Sequence, residues 1–255
     1  MPHVRTAALR AALAALALVS WARAAEPPAG AAAFWRFDEG QGAEARDAAG
    51  QGRNGRLSSV VARHGKQHNV APAWVEGIRG KALDFQTMDG GFGPFVTISD
   101  GRALCSPQVT VCLWMKMSPD KKWKSTGRLV SARDDKRKGE GWLDLSVSWL
   151  RIRAAFGDGK EELVVEAQEE KSIIGHWTHV AFAHDGRTAR LYVNGELKAS
   201  RQAGKPLRPP TAPLTLGNGS YPSQPFLGAL DEIIIYPRAL SADEVVRVME
   251  ATAGE

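Results

Sequence analysis

The sequence predicts an all-β fold, a two-sheet antiparallel jelly-roll sandwich with one short C-terminal helix. The first observation is the pair Asn194-Gly195, which lies between two runs of alternating apolar and polar residues. A two-residue Asn-Gly connection is typical of a β-hairpin, because both residues tolerate the positive φ that such a turn requires. The second observation is a series of short apolar runs bounded by Gly, Asp, Pro or Ser, a pattern typical of sandwiches and jelly rolls.

The predicted strands follow one another along most of the chain. The first covers 33–37, and the glycine-rich stretch after it predicts looped backbone until the chain returns to strand near Leu57. The apolar and β-branched runs that follow predict further strands at 81–85, 95–98, 109–115, 128–132, 142–147, 150–156, 163–166 and 177–181.

The C-terminal helix is predicted from its first turn. Ser241 and Glu244 have the spacing of a capping box, in which each side chain accepts a hydrogen bond from a free backbone N–H of the other residue. Val245, Val248 and Met249 then share one face at helical spacing. We expect this face to pack on the sandwich.

The N-terminus predicts export. Residues 1–24 have the form of a signal peptide, with Arg5 and Arg10 before an apolar run and Ala22-Arg23-Ala24 as the cleavage site. The apolar run is too short to span a bilayer, so we expect no membrane span after cleavage. Residues 25–32 are predicted to be a linker and 33–255 a single domain, in a secreted, periplasmic or cell-surface protein.

Signal cleavage also changes the charge of the chain. The whole sequence has a formal net charge of +5, but removal of residues 1–24 takes away three arginines and no acidic residue, which leaves 30 basic against 28 acidic side chains. A nucleic-acid partner usually needs a clustered basic surface. We therefore expect no nucleic-acid binding.

The two cysteines, Cys105 and Cys112, have two possible roles. An exported protein reaches an oxidising compartment, so the pair could form a disulfide that closes a short loop. Cys112 also fits as a small buried residue in the apolar strand around Val111 and Leu113. Spacing alone does not fix the geometry that a disulfide needs, and both interpretations stay open.

The chain resembles the laminin G-like, concanavalin A-like jelly rolls of bacterial exported proteins, over about residues 33–250. The resemblance lies in ordered segments at both ends and in the middle of the chain, namely Phe34-Trp35-Arg36-Phe37-Asp38-Glu39-Gly40, Gly80-Lys81-Ala82-Leu83-Asp84-Phe85, Trp177-Thr178-His179-Val180-Ala181, Tyr192-Val193-Asn194-Gly195 and Leu230-Asp231-Glu232. Such a match is specific for the fold and weak for function, because the same scaffold is used by lectins, adhesion modules and glycanases.

The resemblance implies a structural Ca²⁺ ion between the chain ends, with Asp38 and Asp231 as ligands. Ca²⁺ binds carboxylate and carbonyl oxygens in turns, and Asp38 is in a glycine-rich turn. Strand alternation places Asp231 on one face with Ile233 and Ile235 and Glu232 on the other. The alternative is that these aspartates accept hydrogen bonds from turn amides.

The candidate ligand-binding residues are aromatic and polar side chains outside the predicted core. Sugars bind exposed aromatic rings helped by amides and carboxylates, and this selects Trp123, Trp142, Trp149, Asn218 and Tyr221, although each tryptophan could instead be a packing residue at the rim. The paired carboxylates of glucanases are missing from the predicted strands, so no catalytic residue is predicted.

These observations favour an exported, non-catalytic, lectin-like domain that binds a polysaccharide or glycoconjugate. A protein–protein adhesion or scaffold module of the cell surface shares the same core motifs and is the main alternative. An unrecognised glycan hydrolase is the third. An exposed apolar patch would favour the adhesion module, and a groove lined by Trp142 or Trp149 would favour sugar binding.

Overall fold

The structure is a computed structural model that describes residues 29–58, 61–63, 66–68, 71–85, 93–119, 127–133, 141–157, 161–210, 212–219 and 224–254. The predicted signal peptide, part of the predicted linker, Trp123 and Tyr221 lie outside these residues. In the described part of the chain no helix has the length and apolar character needed to cross a membrane.

Two antiparallel sheets of eight strands each confirm the predicted sandwich. In the first sheet the hydrogen-bonded order is β16-β15-β14-β9-β18-β7-β6, with β1 also paired to β18. Its strands are β1 (Ala33–Trp35), β6 (Ala73–Glu76), β7 (Lys81–Asp84), β9 (Val109–Met117), β14 (Trp177–His184), β15 (Thr188–Val193), β16 (Glu196–Gln202) and β18 (Gly228–Tyr236).

The second sheet has the order β13-β12-β11-β10-β17-β8-β3-β2. Its strands are β2 (Glu44–Ala45), β3 (Gly55–Leu57), β8 (Val96–Ile98), β10 (Gly127–Arg133), β11 (Gly141–Ser148), β12 (Arg151–Gly157), β13 (Glu162–Gln168) and β17 (Thr215–Leu216). A separate hairpin pairs β4 (Val61–Arg63) with β5 (Lys66–His68). Short 3-10 turns cover Gly101–Leu104 and Lys171–Ile173.

The main core lies between the two sheets. Alternate residues of the central strands point into it, as Leu113 and Met115 do from β9 and Leu145 and Val147 do from β11. A smaller cluster covers the outer face of the first sheet, where Tyr236 packs against the C-terminal helix. Each sheet thus buries one face in the main core, and the first sheet also buries its outer face under α1.

The predicted hairpin and the predicted helix cap are both confirmed. Asn194 and Gly195 have φ values of 49° and 80° and join β15 to β16. The helix α1 (Ala242–Thr252) begins with the capping box of Ser241 and Glu244. Val245 and Val248 are buried against the first sheet, as the helical spacing predicted.

The predicted alternation fails at one point of β18. A β-bulge interrupts the pairing of β18 with β9 between Asp231 and Ile234, and Glu232 has a φ of 49°. The bulge adds one residue to the strand and shifts the side-chain alternation. Asp231 therefore shares the outer face with Ile234, not with Ile233 and Ile235, which point into the main core. Both Asp231 and Glu232 are buried as a result.

Of the two roles that the sequence left open for Cys105 and Cys112, this structure shows free thiols and no disulfide between them. Both thiols are free and buried. Cys105 belongs to the main core between the sheets, whereas Cys112 points to the opposite face of β9, into the cluster below α1. Side chains on opposite faces of a sheet cannot bring their sulfur atoms into bonding distance.

Thiol titration tests this arrangement. Burial raises the pKa of both cysteines to about 12, so we expect the folded protein to react very slowly with a thiol reagent. After unfolding without reductant, two thiols per molecule should react. Cys105→Ser and Cys112→Ser variants, each with one reactive thiol, provide the control, and an unfolded wild-type chain with no reactive thiol would contradict the structure.

Candidate functional site

Two regions of the structure have the chemistry of a site. The first, which we call the acidic corner, consists of Asp38, Asp231 and Glu232 with Arg36, at the turn between β6 and β7. The second, which we call the arginine groove, lies on the outer face of the second sheet, and its lining residues are Arg128, Arg133, Asp144, Ser148, Trp149, Arg151, Arg153, Glu166 and Gln224.

In the acidic corner, Asp231 holds the turn between β6 and β7. Its Oδ2 accepts hydrogen bonds from the backbone N–H groups of Ile78 at 2.9 Å and Arg79 at 3.3 Å. Its Oδ1 accepts one from Glu232 at 2.8 Å. Gly77 in this turn has no room for a side chain, because Asp231 Oδ2 occupies the space that a Cβ would fill.

Asp38 contacts the same turn from the end of the first strand. Its Oδ1 accepts a hydrogen bond from the N–H of Lys81 at 3.1 Å, and its Oδ2 lies 3.1 Å from Arg36 Nε. The structure therefore brings the two predicted metal ligands to one turn. In this arrangement both carboxylates accept hydrogen bonds from amides of the turn, which is the alternative role that the sequence left open.

Glu232 is the residue of the acidic corner for which the sequence predicted no role. Its side chain is buried, neither carboxylate oxygen accepts a hydrogen bond from the described part of the chain, and Arg36 Nε lies 3.6 Å from Oε1. Burial raises the pKa of Glu232 to about 7, although the Arg36 charge opposes the shift. Burial and the neighbouring Glu232 charge likewise raise the pKa of Asp231. Two adjacent buried carboxyl groups therefore resist ionisation.

The donor chemistry of the acidic corner fits Ca²⁺ only in part. Glu232 offers two buried oxygens without hydrogen bonds, and such oxygens suit a hard cation. Asp38 and Asp231 already share their oxygens with amides or with Arg36. Within the described ranges, no three His, Cys, Asp or Glu side chains come together closely enough to hold a metal ion.

The arginine groove lies on the outer face of the second sheet, and this face is polar. Leu129, Leu145 and Ile152 point into the main core from neighbouring strands, so the alternating residues face outward. The small members of this outer face are buried, and they are Ser131, Ser146 and Thr215. The groove has a volume of about 600 Å³, which is within the size range of small-ligand pockets.

Trp149 stands at the rim of the groove. It occupies the two-residue turn between β11 and β12 with Leu150, and the two residues have φ values of 53° and 63°. Such values cost a side chain larger than glycine about 1–3 kcal/mol each and often occur at functional sites. Trp149 is 61% exposed.

The chain fixes the Trp149 turn from two sides. Leu150 is buried in the main core. Gln168 Nε2 donates to the carbonyl oxygens of Trp149 and Leu150, each at 3.3 Å. The turn therefore presents an exposed indole from an anchored backbone.

Ion pairs connect the charged side chains of the groove. Arg128 Nε lies 3.2 Å from Asp144 Oδ1, and both side chains are buried. Glu162, behind the groove, lies 2.7 Å from both Arg133 and Arg153. The pair between Arg151 and Glu166 is longer, at 3.4 Å, and about half of each side chain is exposed.

Two predicted ligand-binding residues have structural roles instead. Trp142 is fully buried and its Nε1 donates to the carbonyl of Ser106 at 2.8 Å. Asn218 is also fully buried, and its Oδ1 accepts from Gly219 at 2.8 Å and from Gln224 at 3.2 Å. Of the predicted ligand-binding residues that the structure describes, only Trp149 is exposed at the groove.

The sequence prediction missed the arginines of the groove. Two of these arginines, Arg151 and Arg153, form ion pairs with Glu166 and Glu162 of the edge strand β13. Arg151 and Arg153 alternate with apolar residues on β12 and pair in register with Gln168 and Glu166. Alternating opposite charges on two consecutive strands are the signal that could have predicted a polar outer face.

Solved structures with the same fold include sugar-binding and toxin domains. Domain 4 of AbnA, a GH43 extracellular arabinanase from Geobacillus stearothermophilus solved with arabinotriose, is 23% identical, with a TM-score of 0.62 over 85% of this chain and 96% of that domain. The binding domain of Paraclostridial Mosquitocidal Protein 1 is 15% identical, with a TM-score of 0.63 over 86% of this chain and 51% of that domain.

The receptor binding domain of botulinum neurotoxin mosaic serotype C/D is 14% identical, with a TM-score of 0.62 over 87% of this chain and 50% of that domain. The chain thus spans about half the length of the toxin domains that it matches. At these identities the similarity shows the fold alone. No curated protein sequence matches the chain significantly.

The sequence itself also matches a family model. The model describes laminin G-like domains and covers residues 89–246, more than half of the chain. Together with the two antiparallel sheets, this match identifies the chain as a member of the laminin G-like family in the concanavalin A-like lectin/glucanases superfamily.

Proposed function

We propose that this protein is an exported, non-catalytic carbohydrate-binding domain whose ligand binds in the arginine groove. The observation that carries the proposal is Trp149, an exposed indole held in a strained turn at the rim of a polar cavity. An aromatic ring beside hydrogen-bonding groups suits a sugar, which has an apolar ring face and polar edges. AbnA domain 4, solved with arabinotriose, supports a sugar ligand.

The carboxylates of the groove support a binding role over hydrolysis. A glycosidase needs one carboxyl group that can donate a proton and a second that acts as nucleophile or base. Asp144 pairs with Arg128, and Glu166 pairs with Arg151. The buried pair with Arg128 commits Asp144, whereas Glu166 has only an exposed pair at 3.4 Å. One available carboxylate in the described lining is fewer than the two that hydrolysis needs.

The adhesion-module alternative receives less support from the described surface. Trp149 and Leu197 are the two large hydrophobic residues that are exposed in the described ranges. They belong to different sheets, at the turn between β11 and β12 and on β16. A protein-binding site of this class usually has a contiguous apolar patch, and two separate residues do not form one.

Replacement of Trp149 tests the sugar-binding proposal. A glycan array identifies a ligand for the wild-type protein, and calorimetry then compares variants. Trp149→Ala should weaken binding by about 10–30-fold, because a central aromatic contact commonly contributes that much. Leu197→Ala removes the other exposed hydrophobic side chain and should leave the affinity within about twofold.

Equal affinity of the wild-type protein and Trp149→Ala would contradict the assignment of the groove as the binding site. Absence of binding to every glycan class on the array would contradict carbohydrate binding itself. Thermal unfolding of both variants verifies that the fold is retained, since both side chains are exposed and contribute little to the core.

We further propose that a Ca²⁺ ion stabilises the acidic corner. The support is the pair of buried oxygens on Glu232 that lack hydrogen bonds, next to Asp231 and Asp38. Arg36 Nε, 3.6 Å from Glu232 Oε1, partly offsets the charge of Glu232. A buried carboxylate is costly without close partners, and a second cation there would lower the cost of ionising both Asp231 and Glu232. The ion would be structural, since the acidic corner and the arginine groove belong to different sheets.

Stability measured against pH tests the burial of Glu232 in the absence of metal. The pKa of Glu232 is about 7 in the folded protein against 4.5 for an ordinary glutamate, so the folded state binds the proton more tightly than the unfolded state. The contribution of Glu232 to stability should therefore be fully present below pH 4.5 and should be lost as pH rises through 7.

In a chelating buffer, the Glu232→Gln variant should lack the loss of stability with rising pH that Glu232 causes. At pH 8 we expect the variant to be more stable than wild type by on the order of 1–2 kcal/mol in urea unfolding, because glutamine stays neutral. Glu250→Gln on exposed helix surface is the matched control and should behave as wild type. If the Glu232→Gln variant is less stable than wild type at pH 8, ionised Glu232 does not destabilise the fold and the expected effect of its burial is wrong.

Calcium titration tests the metal proposal separately. At pH 7.5, millimolar Ca²⁺ should raise the Tm of the wild-type protein by a few degrees relative to chelator. The shift should disappear in Glu232→Gln and persist in Glu250→Gln. An unchanged wild-type Tm would contradict Ca²⁺ binding at the acidic corner, and the role of Asp38 and Asp231 would then be to accept hydrogen bonds from the turn.

A further inference from the structure

We propose that the arginine groove is specific for acidic glycans, with the sugar ring on Trp149 and its carboxylate or sulfate group on Arg151. This inference rests on the proposed carbohydrate-binding function and adds the class of ligand. It follows from the charge of the groove and from the difference between Arg151 and the other three arginines.

The described lining of the groove is predominantly positive. Four guanidinium groups and two carboxylates line it, on Arg128, Arg133, Arg151, Arg153, Asp144 and Glu166. Glu162 lies 2.7 Å from both Arg133 and Arg153, so the group as a whole keeps an excess of one positive charge. A concave surface with an excess of one charge concentrates its field and attracts ligands of the opposite charge. A neutral sugar would gain nothing from this excess, whereas an acidic sugar would.

Arg151 is placed to contact a ligand that stacks on Trp149. It follows Trp149 by two residues, directly after the turn, and faces outward on β12 beside the cavity. About half of its side chain is exposed. Arg133, by contrast, is mostly covered and is held by Glu162 at 2.7 Å.

The present partner of Arg151 leaves it able to bind a second anion. Its Nη1 lies 3.4 Å from Glu166 Oε1, and both side chains are substantially exposed. Exposed ion pairs at such distances contribute little free energy. A guanidinium group also has five N–H donors in a planar fork, so Arg151 can bind an oxyanion bidentately while Glu166 remains nearby.

Arg153 differs from Arg151 in its ion pair and in its exposure. It faces outward on the same strand, but its Nη2 donates to Glu162 Oε1 at 2.7 Å and only 28% of its side chain is exposed. The network around Glu162 fixes Arg153 and Arg133 as the wall of the groove. Arg151 is then the arginine that a ligand can reach at the rim without breaking a short ion pair.

A glycan array that contains neutral, carboxylated and sulfated glycans at 0.15 M salt tests the proposal. We expect the bound glycans to be mainly acidic. For the best acidic glycan, Arg151→Gln should weaken binding about tenfold, and Arg151→Lys should recover part of the loss, because lysine keeps the charge but lacks the fork. Comparison of carboxylated with sulfated binders shows which oxyanion the groove selects.

The matched control is Arg247→Gln, which removes one exposed positive charge from α1, on the outer face of the other sheet. It should leave binding unchanged, and an equal loss in this variant would show attraction to net charge instead of recognition by Arg151. If the best ligands are neutral, the acidic specificity is wrong and the carbohydrate-binding function stands. If no glycan binds, both proposals are wrong.

Discussion

The buried carboxylate of Asp231 is the contact around which the two ends of the chain meet in the first sheet. It joins the central strand β18 to the turn before β7, 153 residues away along the chain. The same turn receives Asp38 from the end of β1, and Arg79 in the turn donates to the carbonyl of Ala251 near the end of α1. The first strand, the last strand and the C-terminal helix thus meet around one peptide turn.

The hydrogen bonds and close packing around this turn explain why aspartate is found at position 231 and glycine at position 77. A buried carboxylate that accepts three amide hydrogen bonds replaces the water that those amides lose, and its removal would leave each donor unsatisfied at a cost of about 1–3 kcal/mol. Gly77 must approach the carboxylate closely, so it cannot carry a side chain. The β-bulge at Glu232 places a second buried carboxyl group beside the first, and burial is the main cause of the raised pKa of both groups.

Much of the fold, and less of the site, could be predicted from the sequence. Period-two alternation and turn residues identify strands and the Asn194-Gly195 hairpin because these signals are local. The bulge at Glu232 has no local signal in the sequence, because it arises from the pairing of β18 with β9. The faces predicted for Asp231 and its neighbours were wrong for this reason. Trp142 was a candidate ligand-binding residue with packing as the alternative, and the structure shows the packing role, since its indole N–H donates to a carbonyl 36 residues away.

The anchoring of Leu150 in the core affects the entropy of the proposed ligand binding at Trp149. The buried side chain of Leu150 and the amide of Gln168 hold the backbone below Trp149, so the indole has only its two side-chain torsions left to fix on binding. Under the proposed function, little conformational entropy would be lost when a sugar binds to the ring. Leu150 points into the core, whereas Trp149 and Arg151 are exposed. The side chains at 149 and 151 could therefore be exchanged without disturbing the core, and a change of ligand preference would not require a change of fold.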